Sequence, residues 1–148
     1  MTNIKARLIA AARAVAANAH APYSHFGVGA AVLLSDGEII TGCNFENASY
    51  GLTLCAETVA LGTVNSLGRL RDVREIAVVG GPLEGGKIAG TGPVRPCGRC
   101  RQVILEAAQL SDTDIPIHCA SADGNAVETH SISALLPHAF GPKDLGLG

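Results

Sequence analysis

Val28-Gly29-Ala30-Ala31-Val32-Leu33-Leu34 is a continuous apolar run, followed by Ser35-Asp36-Gly37-Glu38 and then by Ile39-Ile40-Thr41-Gly42-Cys43-Asn44-Phe45. A run of this length ahead of an Asp-Gly turn reads as a strand over 28–34, a tight hairpin and a returning strand over 39–45. Working upstream, Ala21-Pro22-Tyr23-Ser24 is a turn, because proline favours an extended neighbour. Before it, Ile4, Leu8, Ala11 or Ala12, and Val15 fall on one face of a 3.6-residue helix. Residues 1–21 also carry Lys5, Arg7 and Arg13, no acids and a small-residue end, the profile of a secretory leader. Arg13 interrupts the apolar stretch, so the expectation is a mature amphipathic helix in a cytoplasmic protein.

Downstream, residues 56–64 have helical spacing and Gly68 as a stop, and 76–79 form a short apolar strand ending at Gly80-Gly81-Pro82. The Gly-rich segment 81–93 is a loop by composition. Val103, Ile104, Ala107 and Ala108 mark a second buried helix that begins near Cys97. Residues 115–119 and 126–129 read as strands around Ala122-Asp123-Gly124-Asn125, and 131–136 as a short helix before Pro137. A hairpin followed by crossover helices predicts an α/β fold, a three-layer α/β/α sandwich on a mixed five-stranded sheet. With 148 residues and no repeat, linker or low-complexity block, one domain over 1–148 is expected.

Composition narrows the function. Apolar residues make up 47% and charged residues 16%, which excludes a disordered chain. The formal charge is −2, with no Trp, two Tyr and three Phe, so neither a phosphate-gripping surface nor a base-stacking platform is expected. No apolar run is long enough for a membrane span. Five cysteines, an odd number without a convincing leader, favour metal or catalytic use over a disulfide framework.

Three of those cysteines lie in two short motifs at helix starts, Cys55-Ala56-Glu57 and Pro96-Cys97-Gly98-Arg99-Cys100. A Cys-x-x-Cys pair alone serves a redox dithiol, half of a structural zinc site or a small-residue turn. The third thiol, with a carboxylate two residues on, changes the balance. Catalytic zinc takes three protein ligands and keeps a fourth position open, a count that Cys55, Cys97 and Cys100 fill if the two helix starts meet. Helix N-termini favour the thiolate form. Glu57 would then lie near the zinc-activated water without being a ligand, placed to take its proton and hand it to a leaving amine.

With their flanking residues, these motifs resemble the homotetrameric cytidine deaminases of nucleoside salvage. The resemblance is carried by Pro22-Tyr23-Ser24-His25-Phe26, Val28-Gly29-Ala30-Ala31, Gly42-Cys43-Asn44-Phe45-Glu46-Asn47-Ala48-Ser49-Tyr50, Cys55-Ala56-Glu57, Pro96-Cys97-Gly98-Arg99-Cys100-Arg101-Gln102 and Phe140-Gly141-Pro142. It implies a cytidine deaminase-like fold and hydrolysis of cytidine and deoxycytidine to uridine and deoxyuridine, with one zinc per subunit on Cys55, Cys97 and Cys100. Glu57 would be the proton shuttle, taking protons from the water and giving one to the ring nitrogen and another to the departing amine. Asn44 and Glu46 would hold the ribose hydroxyls, Phe26 would stack on the pyrimidine, and the backbone of Ala56 and Glu57 would contact the base. Tyr50 and Phe140 would reach into a neighbouring subunit's pocket in a homotetramer with shared sites.

The chain departs from many relatives at Thr58, where they carry an arginine that donates to the zinc thiolates. Arg99, Arg101, the Thr58 hydroxyl or backbone donors are the candidate substitutes, and a shifted pH optimum or a broader choice of amines is the expected consequence. Competing readings are a deaminase of another aminopyrimidine nucleoside such as blasticidin S, a polynucleotide editor, and a closed structural zinc site with Cys43 or Cys119 as fourth thiol. Cys43 and Cys119 themselves read as buried strand thiols. His20, His25, His118, His130 and His138 show no metal-ligand spacing and read as solvated or structural.

Overall fold

The computed structural model describes residues 3–148; Met1 and Thr2, at the start of the expected domain and of the leader-like stretch, lie outside the described residues. Helix α1 (Ile4–Ala16) begins at Asn3, whose Oδ1 accepts from the Ala6 amide at 2.7 Å. Strands β1 (Phe26–Leu34) and β2 (Ile39–Cys43) form the expected hairpin, with Gly37 in the left-handed conformation that the turn requires (φ 92°). Then come α2 (Ala56–Ser66), β3 (Val73–Glu84), β4 (Lys87–Ile88), α3 (Gly98–Ser111), β5 (Pro116–Ser121), β6 (Val127–Ser131) and the short α4 (Ile132–Leu135).

The sheet order is β2-β1-β3-β5-β6, with β4 on β3; the β3–β5 pair is parallel and the other strand pairs are antiparallel. Two-residue alternation along the strands sorts the core into two layers. Ala30, Val32, Leu34, Ile76, Val78, Ile117 and Cys119 face α2 and α3, where they meet Ala60, Val64, Ile104 and Ala107. Ala31, Leu33, Ala77, Val79 and Ala120 face α1, where they meet Leu8, Ile9 and Ala12. Burying Leu8 alone contributes roughly 2 kcal/mol. The α/β/α sandwich on a mixed sheet is therefore as expected.

The sheet has six strands among the described residues, where the sequence reading counted five. Strand β3 does not stop at Gly80-Gly81-Pro82 but runs through it to Glu84, and Gly85-Gly86 turns the chain back into β4 with both φ values positive (58° and 78°). Gly81 is small for a packing reason, because a Cβ there would lie 1.8 Å from the Ala89 carbonyl oxygen. The returning strand of the first hairpin ends at Cys43, two residues short of Phe45. Phe45 instead bridges to His20 on one side and Leu54 on the other.

Of the remaining cysteines and histidines, Cys119 is buried on β5, whereas Cys43 is only half-buried on β2. His118 is buried and structural, its ring held between Glu75 (2.8 Å) and Thr129 (2.9 Å).

Candidate active site

Two helix starts and one folded-back loop converge at one end of the sheet. Cys55 is the N-cap of α2 and Cys97 the N-cap of α3; both have extended backbone, and neither side chain caps its own helix, which leaves the sulfurs free. The loop from β2 to α2 is closed by Phe45 and Leu54, which exchange two backbone hydrogen bonds of 2.9 Å. That bridge sets Asn44 and Glu46 beside Cys55. Helix α2 itself lies against Gly42, where a Cβ would come within 2.5 Å of the Ala60 nitrogen and 2.9 Å of the Ala56 carbonyl oxygen. Arg101 ties down the start of α3, donating to the carbonyl oxygens of Pro96 (2.9 Å) and Leu135 (3.0 Å).

The Cys55 and Cys97 sulfurs are 3.9 Å apart, those of Cys97 and Cys100 3.5 Å, and all three lie within 4.8 Å of one another. Thiolates about 2.3 Å from a tetrahedral zinc stand roughly 3.8 Å apart, so the trio fits that ion. Among the described residues no fourth His, Cys, Asp or Glu joins the group; Cys43 and Cys119 stay outside it. Three protein ligands are the count of an open, catalytic zinc site and one short of a closed structural site.

Charge explains why such a cluster calls for a cation. Burial pushes the Cys55 thiol above its ordinary range and Cys100 far above it. Burial acts the same way on Cys97, but donation from the Cys100 amide, the Cys100 thiol and Cys55 outweighs it and lowers that thiol. The thiol under the strongest upward pressure thus sits against the one eased downward, and a divalent ion between them stabilises all three as thiolates.

Glu57 occupies the first turn of α2 and is only 3% exposed. Burial raises its carboxyl pKa, with its own backbone amide and the Cys100 thiol acting the other way. A carboxyl raised by desolvation holds a proton more readily than an exposed one, which suits a proton carrier. Beside the sulfurs opens a cavity of about 330 Å³, lined by the three cysteines and by Phe26, Asn44, Glu46, Ala56 and Glu57, among others. Phe45 points out of it, 52% exposed, so Asn44 and Glu46 share a direction even though β2 has already ended.

The Asn44 amide is doubly engaged. Its Oδ1 accepts from the Val28 amide and its Nδ2 donates to the Phe26 carbonyl, each at 2.9 Å. Tyr50 and Phe140 do not line this cavity; they are 73% and 63% exposed on the surface of their own chain. Tyr50 borders a second, adjoining cavity with Tyr23, Ser24, Glu46 and Thr53.

Sequence reading gave no role to Ser24 or Arg95, which both line the cavity beside the sulfurs. Arg95 is fixed by a two-pronged contact with Glu128 (2.8 and 2.6 Å). The signal that would have found Ser24 is its place two residues before Phe26, since its Oγ accepts from the Phe26 amide at 3.1 Å. Of the substitutes for the missing arginine, the Thr58 hydroxyl is buried with no hydrogen-bond partner among the described residues, and Arg101 is committed to carbonyl oxygens.

Comparison with known proteins gives the same picture. Residues 2–113 match the family model described as "Cytidine and deoxycytidylate deaminase zinc-binding region". A cytidine deaminase of Halalkalibacterium halodurans is 46% identical over 127 residues, covering 86% of each chain. One of Sporosarcina psychrophila is 41% identical over 140 residues, covering 94% of this chain and 93% of that protein. The crystal structure of cytidine deaminase from Burkholderia pseudomallei superposes with a TM-score of 0.79 at 42% identity, over 95% of this chain and all of that one. With fold and sequence matching over most of its length, the chain belongs to the cytidine and deoxycytidylate deaminase zinc-binding family.

Proposed function

We propose that this chain catalyses the zinc-dependent hydrolytic deamination of cytidine and deoxycytidine to uridine and deoxyuridine, a step of pyrimidine salvage. The observation that carries the proposal is the Cys55–Cys97–Cys100 trio facing a cavity that also holds the buried Glu57 carboxyl. Zinc, when bound by the three thiolates, supplies a Lewis acid that makes water nucleophilic near neutral pH. Glu57 takes the first proton of the attacking water and delivers it to the ring nitrogen as the oxygen bonds to the amine-bearing carbon; it then takes the second proton from that new hydroxyl and gives it to the amine, so that the carbon–nitrogen bond breaks, ammonia leaves and the carbonyl forms. Phe26 stacks on the pyrimidine, the backbone at Ala56 and Glu57 contacts the base, and Asn44 and Glu46 take the sugar hydroxyls. The three-thiol count and the role it leaves for Glu57 favour this over a closed structural site.

The working unit is one domain over residues 1–148 assembled as a homotetramer in the cytoplasm, with Tyr50 and Phe140 completing the pocket of a neighbouring copy. Their exposure on their own chain supports this, as do the exposed Phe45 and Leu52 on the loop that carries Tyr50. Among the described residues, no helix is long and apolar enough to cross a membrane. With a net charge of −2, a small nucleoside fits the surface better than a polynucleotide.

The test is direct: purified protein is mixed with cytidine, and the ultraviolet change from cytosine to uracil is followed with and without a chelator. Rapid, chelator-sensitive turnover is expected. A folded, zinc-loaded sample that leaves cytidine unchanged would overturn the reading. Sedimentation showing a fully active monomer would overturn the shared-site assembly.

A further inference from the structure

Ser24 stands where the sugar-facing residues meet. Its hydroxyl donates to Glu46 Oε2 at 2.5 Å, and the same Oγ accepts from the Phe26 amide at 3.1 Å. The amides of Tyr23 and Ser24 donate to the other carboxylate oxygen, Oε1, at 3.1 and 3.2 Å. Phe26 in turn gives its carbonyl to the Asn44 amide. One hydroxyl therefore links Glu46 directly to Phe26, and through Phe26 to Asn44.

The backbone between Ser24 and Phe26 needs holding. His25 is left-handed (φ 57°), a conformation uncommon for a non-glycine residue and favoured where neighbouring bonds hold it. The His25 amide donates to the Ala21 carbonyl and its own carbonyl accepts from Leu83, both within 2.9 Å, and the Ser24 hydroxyl closes the kink from the pocket side. At Glu46, burial alone would raise the carboxyl, but the Ser24 and Tyr23 donors, helped by nearby His20, hold it below its usual range. Glu46 is thus an ionised acceptor, and Oε2 keeps lone-pair capacity beyond the Ser24 bond for a sugar hydroxyl.

We propose that Ser24 is a positioning residue for sugar recognition: its hydroxyl fixes the Glu46 carboxylate and locks the kinked turn that presents Phe26. The inference rests on the cytidine reading above. Without that hydroxyl, Oε2 loses its fixed donor and the carboxylate is free to turn away from the sugar. The expected loss falls on binding of the hydroxyl-bearing sugar and spares the reacting carbon.

The test measures kcat and KM for cytidine and for 2′,3′-dideoxycytidine, which lacks both secondary hydroxyls, in wild type, Ser24→Ala and Ser24→Thr. Ser24→Ala is expected to raise KM for cytidine roughly ten-fold, with kcat within about three-fold of wild type. The KM increase should shrink markedly on the dideoxy substrate, and Ser24→Thr, which keeps the hydroxyl at an exposed position, should restore wild-type behaviour on cytidine. If the alanine variant does not fold, Ser24→Cys, a near-isostere with a weak donor, is read in the same way. An unmoved KM, or an equal increase on both substrates, overturns the inference while wild-type turnover leaves the cytidine reading intact. A folded, zinc-loaded wild type inactive on cytidine overturns both.

Discussion

The sulfurs of Cys55 and Cys97 lie 3.9 Å apart although the two residues cap different helices. A metal held there ties the start of α2 to the start of α3 and stabilises only the folded chain. Metal analysis of the purified protein should find one zinc per chain, and Cys100→Ser should retain only a trace. Chelation should lower the melting temperature by at least about 5 °C. Full zinc occupancy in Cys100→Ser would rule the trio out as the ligand set.

Glu57 is buried in the first turn of α2 but is not part of the thiol cluster. Glu57→Gln keeps the shape and removes the titrating proton. It should retain zinc and the wild-type melting temperature while kcat falls on the order of 10⁴-fold. Near-normal kcat in that variant would remove Glu57 from the chemistry.

Gly42 is the seat of α2 on the sheet, and an added methyl there meets helix backbone instead of a movable side chain. Gly42→Ala is expected to destabilise the fold by roughly 3 kcal/mol, read from the urea midpoint. Because the helix that must shift begins at Cys55, zinc affinity should fall in the same variant. A silent Gly42→Ala would show that the helix yields without cost.

Acid should weaken the molecule through its paired surface carboxylates. Arg95 holds Glu128 below the usual carboxylate range, with His130 adding to the effect; the Glu38 amide and the Arg69 guanidinium do the same for Asp36. A carboxyl whose folded pKa is depressed binds its proton less readily folded than unfolded. Its contribution is therefore complete above the unfolded value and is lost as pH falls through the lower, folded one. Urea midpoints of wild type and Glu128→Gln should differ at pH 7 and converge below about pH 4. A gap that widens in acid would contradict the pairing.

What was legible in the sequence was what local chemistry decides. The first hairpin is written in an apolar run and an Asp-Gly turn, and the thiol cluster in cysteines at helix starts. Strand β4 was missed because Gly80-Gly81-Pro82 carries the residues of a chain break, and only the Ala89 carbonyl pressed against Gly81 shows why glycine stands inside a strand. Ser24 was missed for a similar reason, since its partner Glu46 lies 22 residues on in the sequence, on another loop, and no periodicity announces the pair. Tyr50 and Phe140 were singled out by resemblance, yet neither lines the cavity beside the sulfurs in its own chain, and the role proposed for them is toward a second copy.

The Asn44 side chain has a consequence for redesign. Its amide stands in for a strand neighbour, satisfying the Val28 amide and the Phe26 carbonyl just past the end of β2. Asn44→Asp would turn the donor facing the Phe26 carbonyl into a second acceptor, and Asn44→Ala would leave both backbone groups without their partner. With the sugar contact proposed for Asn44, sugar preference and the integrity of the first strand would be inherited together at this position. A library that varies Asn44 in search of new sugars would be dominated by variants whose first strand has come loose, whatever they gain in contact with the ligand.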